Sequence, residues 1–212
     1  MSLMTTLTDN DGFVRELHHR VKNNFQLIAS LINLQKRMLS PDRRGEVRFV
    51  EEHVQCMAAA YRMVIVKDGT VQVALRDLVS EVVDALRQIA GVGRPSVNLE
   101  LPTSDCFVRI DQAVTLGLYL AVLVPPYLDA VAALDGALRI AVALEEPGRA
   151  VVSVAATGEW TAPPNPLRRR LATAYLRQLF AEVDPATEPG AIRVLIRLLP
   201  LQTAHFDGAG PG

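Results

Sequence analysis

Early in the chain, apolar residues recur at helical spacing. Val14, Leu17, Val21, Phe25, Ile28, Ile32, Gln35 and Leu39 fall on one stripe of a wheel turned by about 100° per residue. The pattern predicts a long helix from Asp11 to about Leu39. Ser40-Pro41-Asp42 then combines a turn with a helix start. A second helical pattern runs from Arg43 to about Val66 and stops at Lys67-Asp68-Gly69. A short loop between two long helices makes them antiparallel neighbours, so the first third of the chain reads as a helical hairpin.

The pattern then alternates. Leu75, Leu78, Val79, Val82, Val83, Leu86 and Ile89 form one apolar helical face. Val97 to Leu101 and Phe107 to Ile110 read as short strands. Asp111 to about Leu134 reads as a helix with a break or kink at Pro125-Pro126. Leu138, Ile140, Val142 and Leu144 alternate as a strand, and Val151 to Ala155 as the next. Leu167 to Val183 reads as an amphipathic helix, and Ile192, Val194, Ile196 and Leu198 as a last strand. The economical arrangement is α+β, with helices on one face of a mixed sheet.

Composition narrows the class. Half of the 212 residues are hydrophobic, 21% are charged, and the formal net charge is −1. Nothing here offers a broad field for nucleic acid or a membrane surface. The stretch from Ala113 to Leu134 is apolar enough to suggest a span, but its double proline favours a buried core helix. Cys56 and Cys106 have no metal-like or disulfide-framework spacing, and a reducing cytoplasm is expected. His18, His19, His53 and His205 lack the companions of a metal motif.

On the wheel of the first helix, His19 lies opposite the apolar stripe. Asn23, Gln26, Ser30 and Asn33 share its side, whereas His18 falls at the edge of the stripe. An exposed imidazole on a rigid helix is open to a partner's active site, and its neutral ring nitrogen is a competent nucleophile. Arg20 and Lys22 add positive charge that favours an anionic phosphoryl group, and Asn23 is one turn away with a hydrogen-bonding amide. An exposed histidine on a solvated helix face has no function in most proteins, so geometry alone does not decide. The apolar stripe also needs cover. Either two hairpins pair into a symmetric four-helix bundle, or the hairpin packs on the C-terminal part of its own chain.

The run ELHHRVKNNFQLIASLINLQKR, Glu16 to Arg37, resembles the dimerisation and phosphoacceptor helix of HisKA_2 and HWE-type sensor histidine kinases. HVQCMAAAYRMV, His53 to Val64, is similar to the second helix of that module. VQVALRDLVSEVVDAL, Val71 to Leu86, looks like the lead into the kinase ATP-binding domain. The resemblance implies a phosphoacceptor at the opening of HRVKN. That is His19 rather than His18, with Arg20, Lys22 and Asn23 supporting. It also implies a domain plan: a dimeric four-helix-bundle hairpin over 1–68, a Bergerat-type ATPase-like sandwich over 69–202, and a tail over 203–212.

The family's ATP chemistry is expected to be lost. Its metal-binding asparagine helix aligns with Leu120 to Asp129, where Pro126 or a neighbour replaces the asparagine. A proline cannot serve a hard cation that wants oxygen ligands. The adenine-binding aspartate aligns at Ala156-Thr157-Gly158, which has no carboxylate. The glycine-rich lid is replaced by ATGEWTAPPNPLRRR, which leads straight into a helix.

The expected function is therefore histidine phosphotransfer in a bacterial two-component relay. Phosphoryl groups would pass between receiver-domain aspartates through His19, with no cofactor bound by this chain and Mg²⁺ brought by the receiver. Expected partners are response-regulator receiver domains and a second copy of the chain. The alternatives are a dimeric pseudokinase scaffold that binds a signalling partner, and an atypical active sensor kinase. His19→Ala and ATP labelling, respectively, discriminate them.

Overall fold

A computed structural model describes residues 2–67, 70–93, 96–134, 136–146, 148–157, 165–184 and 190–201. Before His19, side chains are described only for Gly12 and Glu16. Helix α1 (Ser2–Met38) is followed by a 3₁₀ turn at Pro41–Arg43 and by α2 (Gly45–Arg62). The hairpin is antiparallel. Phe25 stacks on Tyr61 with ring centroids 5.3 Å apart, and Lys36 Nζ lies 2.7 Å from Glu51 Oε2.

The second helix ends four residues before the predicted Val66. Met63 accepts the cap position, and β1 (Val64–Lys67) pairs antiparallel with β2 (Thr70–Ala74). Val64-Ile65-Val66 is a β-branched run, stiff at χ1 and better packed on a pleated strand than on a helix. The hairpin therefore passes into the sheet region through paired strands. The 68/69 boundary falls inside that pair, on residues outside those described.

Helix α3 (Leu75–Ala90) buries Leu78, Val79, Val82, Val83 and Leu86, the face read from the sequence. It stops at Gly91, whose φ of +72° suits the left-handed cap. Strands β3 (Val97–Glu100) and β4 (Phe107–Arg109) lead to α4 (Ile110–Leu134). Then come β5 (Leu138–Glu146), β6 (Arg149–Ala156), α5 (Pro166–Gln178), β7 (Ala181–Val183) and β8 (Ala191–Arg197).

The strands form two sheets rather than one: β1-β2-β4 and β3-β5-β6-β8-β7, with β3 parallel to β5 and every other pair antiparallel. Helix α5 ends five residues earlier than predicted. Phe180 takes φ +50° just past its end, and the chain then leaves as the edge strand β7.

The core lies where α4, packed with α2 and α3, meets the larger sheet. Leu116, Leu120, Val124 and Leu128 of α4 are buried with Ile140, Val152, Val154 and Val194. Helix α4 is long and apolar enough for a membrane span, yet 67% of that window is buried within the fold, as a core helix requires. Helix α2 approaches α4 closely. A Cβ on Gly117 would sit 3.3 Å from the Cys56 carbonyl oxygen, so glycine permits the contact.

The hairpin thus packs on its own chain through α2. The stripe of Val21, Phe25 and Ile32 on α1 turns toward α2 and is partly buried, but Ile28 stays 42% exposed. A second apolar seam, Leu27, Leu31, Leu34 and Met38, remains 56–77% exposed. The architecture is the α+β arrangement expected, a helical hairpin followed by a sheet-and-helix sandwich.

Candidate functional site

His19 sits on α1 beyond the level of the hairpin's second helix. Phe25 is level with Tyr61 near the end of α2, and His19 is six residues further along α1. Its side chain is exposed, as the wheel requires. Asn23 Nδ2 lies 3.3 Å from His19 Nδ1, the one-turn contact expected for this spacing. The same position is served by the flipped amide, in which Nδ1–H donates to Asn23 Oδ1. That tautomer leaves the nucleophilic lone pair on Nε2, since the hydrogen bond at one ring nitrogen fixes the other.

The supporting cations are placed unequally. Arg20 Nε donates to Glu16 Oε1 at 2.8 Å, and both side chains are exposed. The Arg20 hydrogen bond and charge, with help from His19, hold the Glu16 carboxyl below the usual carboxylate range. Arg20 therefore neutralises an acid one turn before His19 rather than standing as a free cation. Lys22 is half-buried and has no salt-bridge partner among the described residues. The His18 side chain lies outside the described residues. Sequence reasoning passed over Glu16, although the Glu16–Arg20 spacing is the one that supports a helical ion pair.

The segments that the resemblance aligns with an ATP site lie elsewhere in the fold. A cleft of about 400 Å³ is lined by Val122, Leu123, Pro126 and Tyr127 of α4, by Asn165, Pro166, Arg168, Arg169 and Ala172 around α5, and by Ile192. Its walls are mostly apolar. Pro125 and Pro126 lie within α4 without ending it. Ala156 ends β6, and the Thr157 hydroxyl accepts from the Ala137 backbone N–H at 2.8 Å. Gly158 to Pro164, which includes the expected lid, lies outside the described residues.

Beneath the cleft is an ionic network that sequence reasoning missed. Glu52 of α2 is 1% exposed and accepts from Arg48 Nε at 2.9 Å and from Arg168 Nη2 at 2.7 Å. Arg48 also donates to Asp129 Oδ1 at 2.7 Å. Nine residues separate Glu52 from Tyr61, and six separate His19 from Phe25. At 1.5 Å per residue, about 22 Å of helix axis lies between this network and His19.

His53 adjoins the network. Its Nδ1–H donates to the Phe49 carbonyl at 2.7 Å, its ring lies 4.2 Å from that of Phe49, and its buried Nε2 has no partner among the described residues. Burial holds its pKa below the usual histidine value. The Phe49 hydrogen bond and Glu52 oppose this shift, while Arg168 adds to it. The unfolded chain therefore takes up the proton more readily. This contribution to stability is intact above the unfolded value of about 6.5, and erodes as pH falls through it. His53→Phe is expected to flatten the fall in thermal midpoint between about pH 7 and about pH 5, as followed by circular dichroism.

Residues 16–90 match the HisKA_2 family model, described as histidine kinase. The sensor histidine kinase PdtaS of Mycobacterium tuberculosis is 32% identical over 91 residues, covering 42% of this chain and 18% of that protein. Its counterpart in Mycolicibacterium smegmatis is 29% identical over 89 residues. The chain thus matches less than a fifth of the length of these curated relatives. In fold, it is similar to the histidine kinase domain of the Erythrobacter litoralis EL346 blue-light activated histidine kinase. That match has a TM-score of 0.57 and 20% identity, and covers 90% of this chain and 96% of that one. The segment that matches the HisKA_2 histidine kinase model contains His19, Arg20, Lys22 and Asn23, and past residue 90 the likeness is to the fold of a histidine kinase domain.

Proposed function

We propose that this chain is a histidine phosphotransfer protein of a two-component relay, loaded and unloaded at His19 by receiver domains. One observation carries the reading: His19 is exposed, and about 22 Å of helix axis lies between it and the network under the cleft. The cleft lining supports it. The Asn165 side-chain oxygen already accepts the Arg168 backbone N–H, and among the described lining residues none is a carboxylate. Such walls do not suit magnesium–ATP, whose cation wants several oxygen ligands.

In the proposed transfer, a receiver's aspartyl phosphate meets His19 in line. The imidazole lone pair forms the N–P bond as the acyl O–P bond breaks, and the electron pair leaves on the aspartate carboxylate. Asn23 keeps the ring oriented through Nδ1, and Nδ1–H retains the proton that makes the product an imidazolium. Discharge to a second receiver reverses these bonds. The metal ion required for phosphoryl charge belongs to the receiver. Positioning is what this chain contributes, as expected for phosphoryl transfer.

The test is to offer the purified chain two donors: radiolabelled ATP with Mg²⁺, and a receiver domain already labelled on its aspartate. Acid-labile label is expected on the chain from the receiver alone. Labelling from ATP without a receiver overturns the reading in favour of a working kinase. No label from a receiver that signals through this chain favours a scaffold.

A further inference from the structure

Two consecutive prolines inside a core helix create a defined need. Pro125 and Pro126 have no N–H, so the carbonyls one turn earlier, of Ala121 and Val122, lose their helical donors. Both residues are buried, at 0% and 3% exposure. A buried carbonyl left open is costly, so a donor must come from elsewhere.

It comes from α5. Arg168 Nη1 donates to the Ala121 carbonyl at 2.9 Å and reaches that of Val122 at 3.5 Å. The same guanidinium sends Nη2 to the buried Glu52 of α2 and lies over the Phe49 ring, 5.2 Å from its centroid. Its origin is fixed as well, because the Asn165 side chain caps α5 by accepting the Arg168 backbone N–H at 3.0 Å. Glu52 in turn holds Arg48, which holds Asp129, one turn past Pro126 on α4. One planar group with five donors thus joins three helices. A lysine has the charge but not the fork.

We propose that Arg168 is a built-in occupant of the remnant nucleotide cleft. Its guanidinium meets the need created by Pro125-Pro126 and pins α5 to α2 and α4, so that hairpin and sandwich form one body without any ligand. The inference deepens the phosphotransfer reading: a pinned sandwich cannot travel the hairpin to His19, whose phosphoryl donor is then external. On the cleft wall, the Arg168 guanidinium is already committed to the Ala121 carbonyl and to Glu52, which is 1% exposed.

The experiment uses the full chain, with urea denaturation and hydrogen exchange as readouts, so its outcome is independent of phosphotransfer. Arg168→Met keeps the stem and removes the donors. It is expected to lower the urea midpoint and to speed exchange of α5 amides about tenfold or more, ahead of α3 and the β5–β6 pair. Arg168→Lys should restore little of this protection.

The decisive arm adds Pro125→Ala with Pro126→Ala, which returns the missing N–H donors to α4. In that background Arg168→Met should cost clearly less than in the wild type. Costs that simply add, as for unrelated sites, overturn the proposal. Should Arg168→Met fail to fold, Glu52→Gln is expected to loosen the same α5 amides, and unchanged exchange in that variant also overturns it. Millimolar Mg·ATP should leave exchange in α4 and α5 of the wild type unchanged, and a change there in either direction overturns the claim that Arg168 is the occupant of the cleft.

Discussion

His19→Ala is expected to take acid-labile labelling of the chain by a phosphorylated receiver down to background. It should do so without loss of fold. The His19 side chain is exposed, and its contact is with Asn23 on the same helix. Removing it should change stability by no more than about 0.5 kcal/mol, the usual range for an exposed site. The chemistry has no such reserve. No other imidazole is expected to present a lone pair on that face, and without the N–P bond there is no carrier. His18→Ala should keep the label, whereas label that survives in His19→Ala and vanishes in His18→Ala reverses the assignment. Asn23→Ala should slow loading about tenfold, as the loss of one orienting hydrogen bond of about 1.4 kcal/mol would. Stopped-time labelling with urea midpoints for each variant separates a lost nucleophile from a lost fold.

Much of the geometry around His19 was legible because it is local. Helical period alone places His19 opposite Val21 and Phe25, and the Asn23 contact follows from a four-residue spacing. The α3 face was legible for the same reason. What was not legible depends on distant partners. Glu52 and Arg168 are 116 positions apart, and nothing near either announces the pair. Pro125-Pro126 reads as a helix break until a donor from α5 is known to meet the open carbonyls. Strand pairing had the same effect at the end of α2. Val64 to Lys67 continues a helical pattern by hydrophobicity, and only its partner β2 shows it to be a strand. Phe180 in left-handed backbone offered no glycine to mark the end of α5.

The larger remaining effect concerns the uncovered face of α1. Val21, Phe25 and Ile32 of the stripe read from the sequence face α2, and the seam Leu27, Leu31, Leu34 and Met38 has the 4-3-4 spacing of a second packing face. A second copy of the chain is the proposed cover, since the same seam on two hairpins makes a self-complementary four-helix bundle. Leu27→Asp combined with Leu31→Asp should then convert a dimer to monomers. Burial of each leucine is worth about 1–2 kcal/mol, and a dimer loses four of them. The dissociation constant should therefore rise about 10³-fold or more, before any cost of facing the new carboxylates. Sedimentation of wild type and variant across a concentration series reads this directly. His19 lies about 80° around the helix from Leu27, so the monomeric variant should still accept label from a receiver. A wild-type chain that stays monomeric at every concentration removes the second copy as the occupant of this seam.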